Sequence, residues 1–379
     1  MIPTDIVFDT YLDANILMAL GFALWLLACA GMRMLKVSLA RRTQLWLLNG
    51  MFLAVLLSPL MVSAALYARD AGLLPNWLSP NLTDHLLALF LNGQIDMAAT
   101  EFERVIALRE TFTQDVSRFD GLLGQTIAAL LAAGLVLFTL QTGRSIVCLR
   151  RTIRSSYAWR RTARVELRLS DTVTVPFSTR GLIRRYVVVP SGLLQRPDDL
   201  RIVLQHEFQH LRHSDIEWEI ALECLRAFFF WNPVFTLWKL RVEELREYAV
   251  DQQVLRRHKL TVAAYGGCLL RVCEDIAARR SRALAGPAVG FLNLKGCFYR
   301  RRTADALNRR ITSLMEPERR ARPCTGFIVL SGLVATLWLS ALAIQNPPVW
   351  SQDRLMLATI VNLERLEAIN ASGLGVRPQ

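Results

Sequence analysis

Four stretches of this 379-residue sequence lack charge altogether: residues 14–32, 45–67, 122–142 and 326–344 contain no Asp, Glu, Lys or Arg. Each is close to the ~20 residues that a helix needs to cross a hydrocarbon core. Four such runs argue against a soluble globule in which all of them would be core helices. Residues 1–13 lack Lys and Arg and carry Asp5, Asp9 and Asp13. With no basic segment ahead of it, the first run does not read as a cleavable signal. No CxxC pair occurs among the seven cysteines, which excludes a zinc ribbon and a thioredoxin-type motif. There is no internal repeat and no long low-complexity run, although arginine pairs recur, as at Arg160-Arg161 and Arg301-Arg302.

What is present is positive charge, unevenly spread. The chain is 53% hydrophobic and still carries a net charge of +13. Basic residues in short flanks mark the cytoplasmic side. Arg33, Lys36, Arg41 and Arg42 place the first connection there and the N-terminus outside. The mildly acidic segment 68–121 then lies outside. Residues 143–325, with 34 Lys+Arg against 18 Asp+Glu (a net of +16), return to the cytoplasm, and the tail 345–379 ends outside. No cysteine falls in a segment expected outside, as for reduced thiols. The expectation is a mainly α, multi-pass membrane protein. Its N-terminal membrane region is 1–142, a folded α+β domain occupies 143–325 between the third and fourth spans, the fourth span is 326–344, and a short tail follows. The lipid bilayer is the first partner implied.

Within 68–121 the text from Asp96 reads as an amphipathic helix, and the tail after Pro347-Pro348 as another, capped by Ser351. The domain opens with strand-like text: VELRLS, TVTVPF and RRYVVVP. Pro197-Asp198-Asp199 marks the start of a helix through LRIVLQHEFQHLRH. A second helix begins near Asp215 and runs into FFFW, and a third runs from about Val234 to His258 after the Asn232-Pro233 break. The piece AFFFW-NP-VFTLW is too short to span and reads as core or as an in-plane membrane contact, core being favoured.

Three of the five histidines fall in QHEFQHLRHSD, residues 205–215. On a helix, His206 and His210 lie one above the other and both reach one metal. Glu207 is displaced around the helix, where it addresses a water rather than the metal. Two histidines, a further ligand and an open position make a hydrolytic zinc site. Zinc lowers the pKa of a bound water and polarises a scissile carbonyl, and Glu207 is the base that takes the proton and passes it on. HExxH alone is a weak signal. A third ligand six residues after His210 is excluded, because that position is Ile216. The third helix offers Glu243, Glu244, Glu247 and Asp251. Glu247 and Asp251 share a face one turn apart, so Glu247 is the expected ligand and Asp251 the acceptor for the second N–H of a ligand histidine. One Zn2+ per chain is implied.

HEFQHLRHSD, then WNP, then ELREYAVD resemble the gluzincin domain of the BlaR/MecR-type membrane metallopeptidases, bacterial sensor-transducers. SDTVTVPFSTRGLIRRYVVVPSGLLQRPDDLRIVLQHE is similar to the family's strand, glycine turn, strand and run before the zinc helix, so the resemblance covers roughly residues 10 to 344. It implies a zinc endopeptidase of the bacterial inner membrane. Its substrate would be a cytoplasmic protein, a winged-helix repressor being the family's type, and self-cleavage within 279–310 is implied by analogy. Val250 stands where the family usually has cysteine. Only 35 residues follow the fourth span, without SxxK, so beta-lactam acylation is not the expected signal. The same HExxH…ExxxD pattern is shared by CAAX prenyl endopeptidases and Htp-type quality-control proteases, which leaves a housekeeping endopeptidase as the competing reading.

Several other residues carry weaker expectations. His213, Tyr248 and His258 are candidates for lining the site or stabilising a transition state, against a purely structural role for each. Asp215 reads as the cap of the next helix. Val173 and Val175, in TVTVPF, are placed on an edge strand that holds substrate by strand addition. A receptor or scaffold with a structural zinc would have no use for Glu207. A nucleic-acid-binding regulator would set its arginines on one face, whereas these are scattered; no direct nucleic-acid binding is expected, and a surface near anionic lipid accounts for the charge. A homodimer stays open. The topology predicts that reporter fusions read outside at residue 90 and at the C-terminus and inside at residue 200. A cytoplasmic signal at residue 90 would invert every later segment.

Overall fold

The computed structural model describes residues 4–35, 39–73, 82–119, 121–181, 184–282, 298–315, 323–345 and 352–373. They divide into two compact units, one of residues 1–32, 49–133 and 327–379, the other of residues 33–48 and 134–326. Among the described residues, four helices are long and apolar enough to cross a membrane: α1 (Thr4–Met34), α2 (Arg41–Asp70), α5 (Gly121–Ser155) and α11 (Pro323–Gln345). Each contains one of the uncharged runs. At ~1.5 Å per residue, the 35 residues of α5 exceed what a bilayer needs. Its last turns, from Arg144, carry the charges that the apolar run lacks.

In the first unit, α3 (Leu82–Leu91) and α4 (Ala99–Ser117) pack with α12 (Gln352–Gly373). Leu87, Ala99, Phe102, Leu357 and Val361 are buried together, and the Phe90 and Phe102 rings stack at 4.2 Å. Glu364 of α12 accepts from the backbone N–H groups of Ala99 (2.9 Å) and Thr100 (3.0 Å). It satisfies two of the orphan donors in the first turn of α4 and places an anion at the positive end of its dipole. The expected cap Ser351 lies outside the described residues.

The second unit is built on a four-stranded sheet of β1 (Tyr157–Arg161), β2 (Val165–Ser170), β3 (Phe177–Arg180) and β4 (Arg185–Pro190), in the order β1-β2-β4-β3. Strands β2 and β4 are parallel, with Leu167 opposite Val187, and both outer pairs are antiparallel. Central β4 buries Val187, Val188 and Val189 completely, as a run of β-branched residues does when both faces are covered. The expected strand TVTVPF does not form. Residues 171–176 are irregular, and the edge strand begins at Phe177, so Val173 and Val175 are not on it. The cause is local. Ser170 Oγ accepts from the Val173 N–H (3.3 Å) and lies 3.1 Å from Thr172 Oγ1, a side-chain turn that competes with the ladder, and Pro176 has no N–H to give it. Strand β1 carries no charge-free or alternating signal and was not expected.

Against the sheet pack α6 (Pro197–His213) and α7 (Asp215–Arg226); α8 (Pro233–His258) packs on both of these helices, α9 (Val262–Arg282) on α6, and α10 (Phe298–Met315) on α8 and α9. Pro197 starts α6 where its missing N–H costs nothing. Asp199, in the same turn, takes Arg271 Nε (2.9 Å) and Nη2 (2.5 Å). Asn232 caps α8 by accepting from the Val234 N–H at 2.8 Å. Helix α7 ends at Arg226, short of FFFW. The apolar piece that follows is core in part: Phe229, Phe235 and Trp238 are buried, whereas Phe228, Trp231 and Leu237 are exposed. Trp238→Ala empties the largest of these buried positions and is expected to cost about 3–5 kcal/mol. The readout is the thermal midpoint of the full chain in detergent, which Leu270→Ala, on an exposed face of α9, should shift little.

Candidate metal centre

Helix α6 carries His206, Glu207 and His210, and α8, packed against it, brings Glu247 to them. His206 Nε2 is 3.1 Å from His210 Nε2. Glu247 Oε2 is 3.5 Å from the first and Oε1 3.6 Å from the second. Among the described residues these three are the group that could hold a metal ion, their donor atoms lying within 4.8 Å of one another. Glu207 follows His206 on the same helix and is buried.

The far nitrogens of both rings are committed. His210 Nδ1 is 2.9 Å from Asp215 Oδ2. His206 Nδ1 is 2.9 Å from the Tyr265 hydroxyl and 3.3 Å from Asp251 Oδ1, and Tyr265 itself donates to Asp251 at 2.6 Å. These partners assign the proton of each imidazole to Nδ1. With Nδ1 protonated on each ring, both Nε2 atoms and the Glu247 oxygens converge, and only a proton or a cation between them relieves the repulsion. Two imidazoles and a carboxylate are the donor set of catalytic zinc. The residues fit the ion that the sequence implied.

Arg310 of α10 completes the surroundings. Its Nε and Nη2 hold the two oxygens of Asp251 at 2.8 and 2.6 Å, and Nη1 is 3.2 Å from Glu247 Oε2. Burial opposes charge on all of these groups, but the pairing outweighs it. Asp251 is drawn down to about 2 and Glu247 well below the usual carboxylate range by Arg310 and His206. Asp251 and Glu247 raise His206 to about 10. Burial and Asp251 push the Tyr265 phenol well above its ordinary value, so it remains a donor.

The sequence expectations separate here. Asp251 stands beside His206, one of the candidate ligands, where the shared face of α8 put it. Asp215 does not cap α7, for which no side-chain cap bond forms; its carboxylate turns back to His210 because Ser214 adopts a left-handed conformation (φ 58°) that reverses the chain between α6 and α7. Tyr248 is not brought to the metal residues. Its hydroxyl donates to Glu244 (2.8 Å), its ring lies under Arg41, and burial raises its pKa to about 12. His213 is half-buried at the end of α6 with Nε2 2.8 Å from Gln209 and from Gln253, and burial lowers its pKa. His258 is 11 residues beyond Glu247, ~16 Å along α8, and titrates low through burial and the neighbouring Arg257 and Arg212. Glu243 pairs with Lys239 at 3.4 Å and Glu244 with Arg241. Tyr265 and Arg310 were missed. They sit 14 and 59 residues after Asp251, with no local pattern to mark them.

Zinc titrated into the purified chain should bind about one equivalent. Removing a carboxylate behind a ligand, in Asp215→Ala or Asp251→Ala, should weaken binding ~10–100-fold. His206→Ala, His210→Ala and Glu247→Ala should weaken it more. Full affinity in Asp215→Ala would show that the turn at Ser214 has no part in holding the site.

A family model described as BlaR1 peptidase M56 matches residues 13–296. No curated protein shows significant similarity to the chain. The matched stretch takes in three of the four apolar helices, the sheet, and α6 and α8 with their His-His-Glu group, so it rests on far more than an HExxH pattern. This chain belongs to the BlaR1 peptidase M56 family and is, by that membership, a membrane-associated peptidase of metallopeptidase type.

Proposed function

We propose that the protein is a zinc endopeptidase of the bacterial inner membrane that relays an envelope signal by cutting a cytoplasmic protein, a transcriptional repressor of the winged-helix type. The observation that carries the reading is the convergence of His206, His210 and Glu247, with both outer imidazole nitrogens held by carboxylates, in a chain of this family. In this reading His206, His210 and Glu247 hold the ion. Zinc, when bound, supplies Lewis acidity toward a carbonyl and toward water. Glu207 takes a proton from the attacking water and delivers it to the leaving amine. Asp251, through Tyr265, and Asp215 keep the two imidazoles in the tautomer that presents Nε2. Arg310 holds Asp251 and Glu247 ionised and fixed in place.

The sheet offers a place for the substrate. Strand β3 is the outer strand beside β4, and it packs against α6 and α7. An extended peptide added to that edge would run alongside the helix that carries His206 and His210. This puts the recognition edge at Phe177–Arg180 rather than at Val173 and Val175. Arg180, at the end of the strand, pairs with Glu217 at 2.9 Å.

Glu207→Gln separates the base from the ion: zinc content should be unchanged and peptide-bond cleavage lost. Comparing cytoplasmic protein termini in cells carrying the wild-type chain and Glu207→Gln then tests the substrate class. A single repressor cut only under an envelope stimulus is the expected result. Accumulation of many misfolded membrane proteins in the variant, with no transcriptional response, would replace the relay by a quality-control protease.

A further inference from the structure

We propose that the loop between α7 and α8 inserts into the acyl-chain layer of the bilayer beside α5 and so anchors the helix that bears Glu247. Residues 227–238, AFFFWNPVFTLW, contain no charge. Phe230 stacks on Phe138 of α5, with ring centroids 5.2 Å apart and planes at 26°. Its ring lies against Gly134, where a Cβ would stand 2.0 Å from Cζ, so the seat exists only because that residue is glycine. Phe138 and Gly134 are four and eight residues inside the end of the uncharged run 122–142. At 1.5 Å per residue these positions are ~6 and ~12 Å from that end. If α5 crosses the membrane on this run, Phe230 is within the hydrocarbon layer.

The rest of the loop and the first turns of α8 suit that depth. Phe228, Trp231 and Leu237 are 54%, 44% and 52% exposed, while Phe229, Phe235 and Trp238 fill the core on the other side. Irregular backbone tolerates hydrocarbon only where its polar groups are satisfied. The N–H groups of Ala227, Phe228, Phe229 and Asn232 donate to carbonyls of residues 224, 225 and 229, that of Val234 goes to Asn232 Oδ1, and Pro233 has none. Arg226 marks the water side. Its guanidinium lies 5.0 Å from the Phe138 centroid and reaches back to Glu223 (3.2 Å) and to Gln141 (3.4 Å), as an arginine snorkelling from an apolar layer does. Glu247 is 14 residues past Pro233, so the metal centre is held within ~21 Å of the inserted loop along α8.

The test uses tryptophan emission from the full chain in vesicles of phosphatidylcholine and phosphatidylglycerol, with acyl chains unmodified or brominated near the headgroup or near the midplane. Trp231→Phe removes one emitter, and Phe228→Trp in that background adds one on the outward face of the loop, so difference spectra isolate each site. Both components should lose most of their intensity in brominated vesicles and little to acrylamide in the water phase. Quenching by acrylamide with none by bromine would overturn the proposal. So would protection from both, which would mean that protein, such as a second copy of this chain, covers the loop.

Discussion

Two imidazole nitrogens 3.1 Å apart, both turned toward one carboxylate, repel unless a proton or a cation lies between them. That constraint organises the second unit. It holds only because each ring is pinned from behind, and the pins come from different helices: Asp215 from the start of α7, Asp251 from α8, Tyr265 from α9. A cation bound here ties the helices together as well as serving chemistry, so its binding free energy is shared with folding. The left-handed Ser214 is part of the same device, since without that reversal Asp215 would continue away from His210.

Charge balance makes the cluster tolerable in a buried place. Glu247 and Asp251 are two carboxylates one helical turn apart, and isolated charges at that depth would neutralise by taking up protons. Arg310 prevents this by bridging both, and His206 adds a second donor. A bidentate guanidinium suits the task better than an ammonium, because it satisfies both oxygens of one carboxylate and still has a nitrogen for the next. The arginine belongs to α10, the last described helix before the fourth apolar span α11. The ion pair that keeps this face of α8 charged therefore lies close in sequence to a helix long and apolar enough to cross a membrane.

The first unit shows a different economy. Its segment 82–117 and its tail 352–373 are each too small to bury a core alone, and they do so jointly through Phe102, Leu357 and Val361. Glu364 reaches across 264 residues of sequence to satisfy the first amides of α4. Two short pieces on either side of the long central region thus form one body, which neither announces by itself.

Local rules made much of this legible in the sequence. The uncharged runs show as spans because a bilayer imposes length and apolarity residue by residue. VELRLS and the valines of β4 show as strands by composition, and α6 and α8 show by Pro197, Asn232 and periodicity. The grouping of His206, His210 and Glu247, with Asp251 beside it, was readable because the spacing of four residues in each pair is helix geometry written in one dimension. TVTVPF misled because a side-chain turn and a proline outweighed the alternation of its valines. The role of Asp215, the Tyr265 hydroxyl and the Arg310 guanidinium could not be read this way. Each acts by meeting a partner on another element, and nothing within the reach of one helical turn records which distant side chain will be there. The sequence by itself determined which residues could ligate and which helices could span; the tertiary structure decided which carboxylate pins which imidazole, because that depends on how α6, α8, α9 and α10 pack.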